Sequence, residues 1–170
     1  MRKLFIIMLL SCWANLVSAM PNSPNTVTHL GGVPKVAVSD VKDVDISGIN
    51  PTLRDVTYVS NEALCIYTSS QAHNYEITIE GKNPEHYQLT NGARALPVEL
   101  WWSTNTNPAN GQQLSPNKPL MVQNSTGNAN PNCPNGLNAN LQLRILTNQL
   151  NGMTSGTYSG LFEVIVTPLS

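Results

Sequence analysis

The stretch Tyr75-Glu76-Ile77-Thr78-Ile79-Glu80-Gly81 decides how this chain folds. Tyr75, Ile77 and Ile79 fall on one side of an extended backbone, and Glu76, Thr78 and Glu80 on the other. Successive strand residues point to opposite faces, so this is a strand with one face in a core and one in water. Gly81 ends it.

Working outward, the same period of two recurs between turn residues, and no helical period is sustained anywhere. Upstream, Ala63 to Thr68 reads as a strand, and Val36 to Ile46 as another, interrupted near Ser39-Asp40 where the apolar spacing shifts. Downstream, His86 to Thr90 and Ala95 to Ser103 flank Asn91-Gly92, a hairpin signal because both residues tolerate positive φ. Residues 104–118 are a polar loop, Pro119 to Gln123 a short strand, and 124–138 a second polar loop carrying Cys133. Ala139 to Leu146 places Leu141, Leu143 and Ile145 inward and Gln142 and Arg144 outward. Tyr158 to Thr167 closes the chain with Phe162, Val164 and Val166 on one face. Seven to eight short strands separated by turns describe an all-β sandwich or barrel.

The N-terminus reads as an export signal. Arg2 and Lys3 precede an unbroken apolar run from Leu4 to Leu10, and Val17-Ser18-Ala19 offers the small residues of a cleavage site. The run is too short to span a bilayer as a helix. Residues 1–19 are therefore expected to be a signal peptide cut after Ala19, residues 20–34 an extended arm rich in Pro, Asn and Gly, and 35–170 a single β-sandwich domain. Leu9-Leu10-Ser11-Cys12 offers a second processing route, as a lipobox in which Cys12 becomes a lipidated first residue.

Composition agrees with an exported domain. The chain has 9 basic and 10 acidic residues, and losing Arg2 and Lys3 leaves 7 against 10, a net charge of −3. Charged residues make up only 11% of the chain, and the Lys and Arg are scattered. Nothing here marks a nucleic-acid or anionic-lipid surface. Of three cysteines, Cys12 leaves with the signal peptide. The remaining pair, Cys65 and Cys133, most simply forms one disulfide in an oxidising compartment.

No catalytic, cofactor or metal site is legible. His29, His73 and His86 have no ligand spacing to one another, to Cys or to carboxylates. The serines lack a nucleophile-elbow context. Asp40, Asp43, Asp45 and Asp55 do not follow a calcium-loop pattern and read as a solvated strand edge that discourages edge-to-edge pairing. Asn124-Ser125-Thr126 matches a glycosylation sequon by chance in an Asn-rich loop. The most informative pair is Trp101-Trp102. Leu96, Val98, Leu100 and Trp102 share the core face, which leaves Trp101 outward with Pro97 and Glu99. An outward Trp is either covered, here by the 104–118 loop, or used as a surface contact.

Six pieces in order carry a resemblance: Val38-x-x-Val41-x-Asp43-Val44-Asp45-Ile46-x-Gly48, Cys65-Ile66-Tyr67-Thr68, Tyr75 to Gly81, Leu96-Pro97-Val98-Glu99-Leu100-Trp101-Trp102, Cys133 with Asn138-Ala139-Asn140-Leu141, and Gly156-Thr157-Tyr158-Ser159-Gly160-Leu161. From about Val36 to Pro168 the chain resembles the spore coat protein U domain family, which includes pilins of archaic chaperone–usher pili. The resemblance implies an immunoglobulin-like sandwich, passage through the periplasm to the cell surface, and no enzyme activity or cofactor. It also implies a periplasmic chaperone, an usher and sibling subunits as partners, met by β-strand complementation. In this chain the donor segment would be Thr26, Val27, Thr28, His29 and Leu30. That arm departs from the pilin pattern, being short, weakly alternating and flanked by Pro21, Pro24 and Pro34, which supply no backbone donor. The alternative is a stand-alone adhesin or carbohydrate-binding module that meets a host or surface glycan through Trp101.

Overall fold

The structure is a computed structural model. It describes residues 3–5, 36–39, 45–47, 56–69, 73–123, 133, 136–154 and 156–169. In chain order the strands are β1 (Lys3–Phe5), β2 (Val36–Ser39), β3 (Asp45–Ser47), β4 (Thr57–Thr68), β5 (Tyr75–Gly81), β6 (Gln88–Asn91), β7 (Arg94–Pro97), β8 (Glu99–Ser103), β9 (Gln112–Gln113), β10 (Leu120–Val122), β11 (Ala139–Leu146) and β12 (Phe162–Pro168). Short 3-10 turns at Pro108–Asn110 and Thr147–Leu150 are the only helical elements among the described residues.

Two antiparallel sheets make the body. One has five strands in the order β2-β4-β11-β8-β9, the other three in the order β10-β5-β12. Their inner faces share one core. The alternation that predicted β5 is realised, with Tyr75, Ile77 and Ile79 no more than 1% exposed. Opposite them lie Leu141, Leu143 and Ile145 of β11, and Leu100 and Trp102 of β8. Tyr75 and Trp102 bridge the sheets directly, their rings meeting edge-on at 6.5 Å. The Trp102 indole N–H donates to the Tyr75 hydroxyl at 3.2 Å, so both polar tips are satisfied inside the core. Tyr87 and Phe162 make a second edge-on contact at 5.8 Å, which ties β12 to the segment entering β6.

Several expected strands split or shift, each for a local reason. Of the first expected strand, Val36 to Ile46, the described residues form two pieces, β2 ending at Ser39, where the apolar spacing shifts, and β3. The second begins at Thr57, not Ala63, because all of β11 needs a partner. The register runs from Ala139 opposite Leu64 to Leu146 opposite Thr57. The expected Ala95 to Ser103 strand breaks at Val98, whose N–H donates to the Tyr87 carbonyl at 2.9 Å. Residues before the break pair with β6 and those after it join the large sheet. In the β6–β7 hairpin Asn91 pairs with Arg94, so the turn is Gly92-Ala93, one residue later than expected. Only Gly92 takes the left-handed conformation there, with φ 59°.

The Gly156 to Gly160 segment has a mechanical role. Ser159 and Thr90 exchange two backbone hydrogen bonds at 2.7 and 3.0 Å, pinning the approach to β12 onto β6. A Cβ on Gly160 would lie 2.9 Å from the Gln88 carbonyl and from the Leu89 side chain, so only glycine allows this approach. Tyr158 is buried and donates to the Thr154 carbonyl at 3.2 Å.

Cys65 of β4 and Cys133 are disulfide-bonded, with Cα atoms 6.1 Å apart. The bridge fastens the loop between β10 and β11 to the large sheet. The sequence expectation of an all-β chain with one disulfide is the architecture observed. The β1 residues, inside the expected signal peptide, pair antiparallel with β3. The expected donor residues Thr26 to Leu30, the 20–34 arm, Asp40, Asp43, Asp55 and the 124–126 sequon lie outside the described residues. No helix is long and apolar enough to cross a membrane among the described residues.

Candidate functional site

Two features of the large sheet can contact another molecule: its outer face around Trp101, and the edges it shares with the small sheet. On the outer face, the antiparallel register sets Trp101 of β8 between Gln142 of β11 and Gln113 of β9. One step along, Glu99 lies opposite Arg144, and Arg144 opposite Val59. These side chains link into one chain. Gln142 Nε2 donates to Asn61 Oδ1 at 2.8 Å. Arg144 Nε donates to Gln142 Oε1. The Arg144 guanidinium lies 3.9 Å from the Trp101 ring centroid, a cation–π geometry. Trp101 Nε1 then donates to Glu99 Oε2 at 3.1 Å.

Trp101 is thus outward and half-buried, as its parity requires. Arg144 stacks on one ring face. The 104–118 segment folds back as the Pro108–Asn110 turn and β9, and its Gln113 pairs with the Trp101 backbone. Asn107 caps that turn through Oδ1, which accepts from the Ala109 N–H at 3.0 Å. Ser103 Oγ donates to the Asn107 carbonyl at 2.9 Å, holding the loop to the sheet.

Glu99 ends the chain at a cleft of about 380 Å³. Polar walls come from Glu85, His86, Glu99, Gln113 and Gln149, and Pro97, Val98 and Pro116 supply apolar surface. Two backbone bonds brace it: Val98 to Tyr87 at 2.9 Å, and the Leu114 N–H to the Leu100 carbonyl at 2.8 Å. Gln149 Oε1 is buried with no hydrogen-bond partner among the described residues. The sequence reading missed this cleft because its walls come from four separate segments, none with a motif. Of its wall residues, the sequence singled out His86, Pro97 and Glu99, none of them as part of a cleft.

At the sheet edges, β12 is an outer strand of the three-stranded sheet and β2 an outer strand of the five-stranded sheet. These two edges approach one another, so the sandwich has a seam between them. The inward β12 residues Phe162, Val164 and Val166 are buried, while Leu161, just before the strand, is 53% exposed. Beside it Glu80, Lys82, Gln88 and Glu163 line a second cleft of about 480 Å³.

Titratable chemistry is sparse. Burial pushes the Tyr75 hydroxyl up to about 12, partly offset by the bond from Trp102. Burial also pushes Tyr87 above the ordinary phenol range; its hydroxyl donates to the Ile79 carbonyl at 3.2 Å. Both are structural groups, bonded within the core. Among the described residues no three His, Cys, Asp or Glu side chains are placed to hold a metal ion. His86 lines the first cleft, and His73 sits at φ 52° before β5.

This combination of two antiparallel sheets, one disulfide and a β12–β2 seam defines an all-β sandwich domain. Among solved structures, a chain from a chaperone–tip adhesin complex of CFA/I fimbriae biogenesis matches it with a TM-score of 0.55 and 18% sequence identity. The match covers 79% of this chain and 42% of that one, so this chain spans less than half of its neighbour's length. At that identity the likeness is one of fold. No family model and no curated protein matches the sequence.

Proposed function

We propose that this protein is a non-enzymatic, exported structural subunit or accessory protein of a surface pilus or coat, assembling by β-strand addition at the open edge of β12. The observation that carries the reading is the seam. Among the described residues β12 pairs with β5 alone, and β2, the edge of the opposite sheet, lies near it. A strand added there would hydrogen-bond to β12 and lengthen the small sheet. The likeness of fold to a chain from a fimbrial chaperone–adhesin complex is consistent with this role. So are the expected signal peptide and the disulfide, which suits an oxidising compartment. On this reading the donor is the 20–34 arm, through Thr26 to Leu30, and the partners are a periplasmic chaperone, an usher and sibling subunits. Membership of the spore coat protein U domain family is part of the same proposal.

The mature chain expressed alone is expected to oligomerise or aggregate, and to become soluble on co-expression with its chaperone. Deleting residues 20–34 abolishes polymerisation and leaves chaperone binding intact. A soluble, stable monomer with all strands paired within the chain contradicts the assembly role.

A further inference from the structure

We propose that the cleft walled by Glu85, Glu99, Gln113 and Gln149 is a binding site for a neutral saccharide. It shares no residue with β12 or β2, so it is a ligand site that assembly does not require. At about 380 Å³ it falls within the size range of small-ligand pockets, roughly 300–1,000 Å³.

The wall chemistry selects the ligand. Sugar hydroxyls are at once donors and acceptors, and planar carboxylates and amides present two polar atoms in one plane to meet adjacent hydroxyls. Gln149 lines the cleft, and its side-chain amide carries both donors and an acceptor. Glu99 has Oε2 bonded to Trp101 Nε1, and a carboxylate retains further acceptor sites. Pro97 and Pro116 give apolar patches for the C–H face of a pyranose ring. Charge excludes acidic sugars. Two carboxylates line the cleft, and no Lys or Arg lines it among the described residues. An anionic ligand would meet like charge there.

The site is also prearranged. Trp101, fixed by the Arg144 stack, holds Glu99 from the side, which makes Trp101 a positioning residue and not a stacking platform. Backbone bonds at Val98 and Leu114 fix the cleft's frame. Such ordering lowers the entropic cost of binding.

The test is titration of the mature protein, kept soluble as the complex with its co-expressed chaperone, with lactose, maltose, chitobiose and methyl mannoside, with sialyllactose as the acidic comparison, followed by amide chemical shifts. At least one neutral sugar is expected to bind saturably, with shifts at Gln113, Leu114 and Gln149, and sialyllactose to bind at least about tenfold more weakly than lactose. Glu99→Gln and Gln149→Leu are each expected to weaken binding about tenfold, the effect of one lost hydrogen bond to a charged or buried group. Gln113→Ala, at an exposed edge position, provides a variant that leaves the core untouched; the unfolding midpoint of each variant verifies folding. The proposal is overturned by the absence of saturable binding to any neutral probe at millimolar concentration. Shifts mapping away from the cleft, sialyllactose binding as tightly as lactose, or folded variants that bind like the wild type also overturn it.

Discussion

At the scale of single residues, Trp101 and Trp102 show how far parity reaches. Neighbours on one strand must face opposite ways, so Leu96, Val98, Leu100 and Trp102 were legible as core from sequence alone. All four are buried, Trp102 at 1% exposure. The cover on Trp101 was not legible, because Arg144 reaches it from a different strand and register cannot be read from one segment. Trp102→Ala should therefore destabilise the domain by about 3–5 kcal/mol, as truncations of large buried aromatics do, measured by chemical denaturation. Trp101→Ala should cost much less in folding; if it unfolds the domain, the face assignment is wrong. Tyr75 gives a pH test. Its hydroxyl loses its proton near pH 12 when folded, because burial outweighs the bond from Trp102, against about 10 in an unfolded chain. Between those values the folded state holds more protons, so stability falls as pH rises through the window, by about 2–3 kcal/mol in all. Below pH 10 this group adds no pH dependence. Denaturation midpoints that stay level from pH 10 to 12 would contradict the buried placement of Tyr75.

At the scale of elements, strong alternation located β5, β11 and the last strand to within a few residues, since each carries three apolar side chains on one face. Weak alternation failed. The first half of β4 carries Val59 outward at 44% exposure and polar Asn61 and Glu62, so its sequence does not announce a strand. Its length is set by pairing to β11, a long-range fact. The same holds for β9, two glutamines that become a strand only by lying against Trp101 and Trp102. The disulfide was legible by count once Cys12 was assigned to the leader. It closes a separation of 68 residues, which in the chain-entropy model restricts the unfolded state by about 4 kcal/mol. Replacing both cysteines by alanine should lower stability by a few kcal/mol in denaturant titrations. Non-reducing peptide mapping of exported protein should find one Cys65–Cys133 cross-link, and two free thiols would reject it.

At the scale of the whole molecule, the sandwich followed from strand count and patterning, and the seam did not. Which strands become sheet edges depends on the order of pairing, and sequence shows that only through resemblance. The structure puts the chain's last strand at an edge beside β2, the early strand nearest the 20–34 arm in sequence. That places the proposed acceptor next to the start of the domain, the geometry a head-to-tail array of identical units needs, since each arm must reach a neighbour's β12. Alternate amides of an edge strand point away from its partner, and in an isolated subunit they exchange with water. The most direct measurement is residue-resolved amide hydrogen exchange along Phe162–Pro168, made on the mature domain lacking residues 20–34, with and without a peptide of those residues. Fast exchange is expected at every second amide of β12 in the domain alone, and protection of those amides when the peptide is bound. Full protection of β12 in the isolated domain, or no change on adding the peptide, would contradict it.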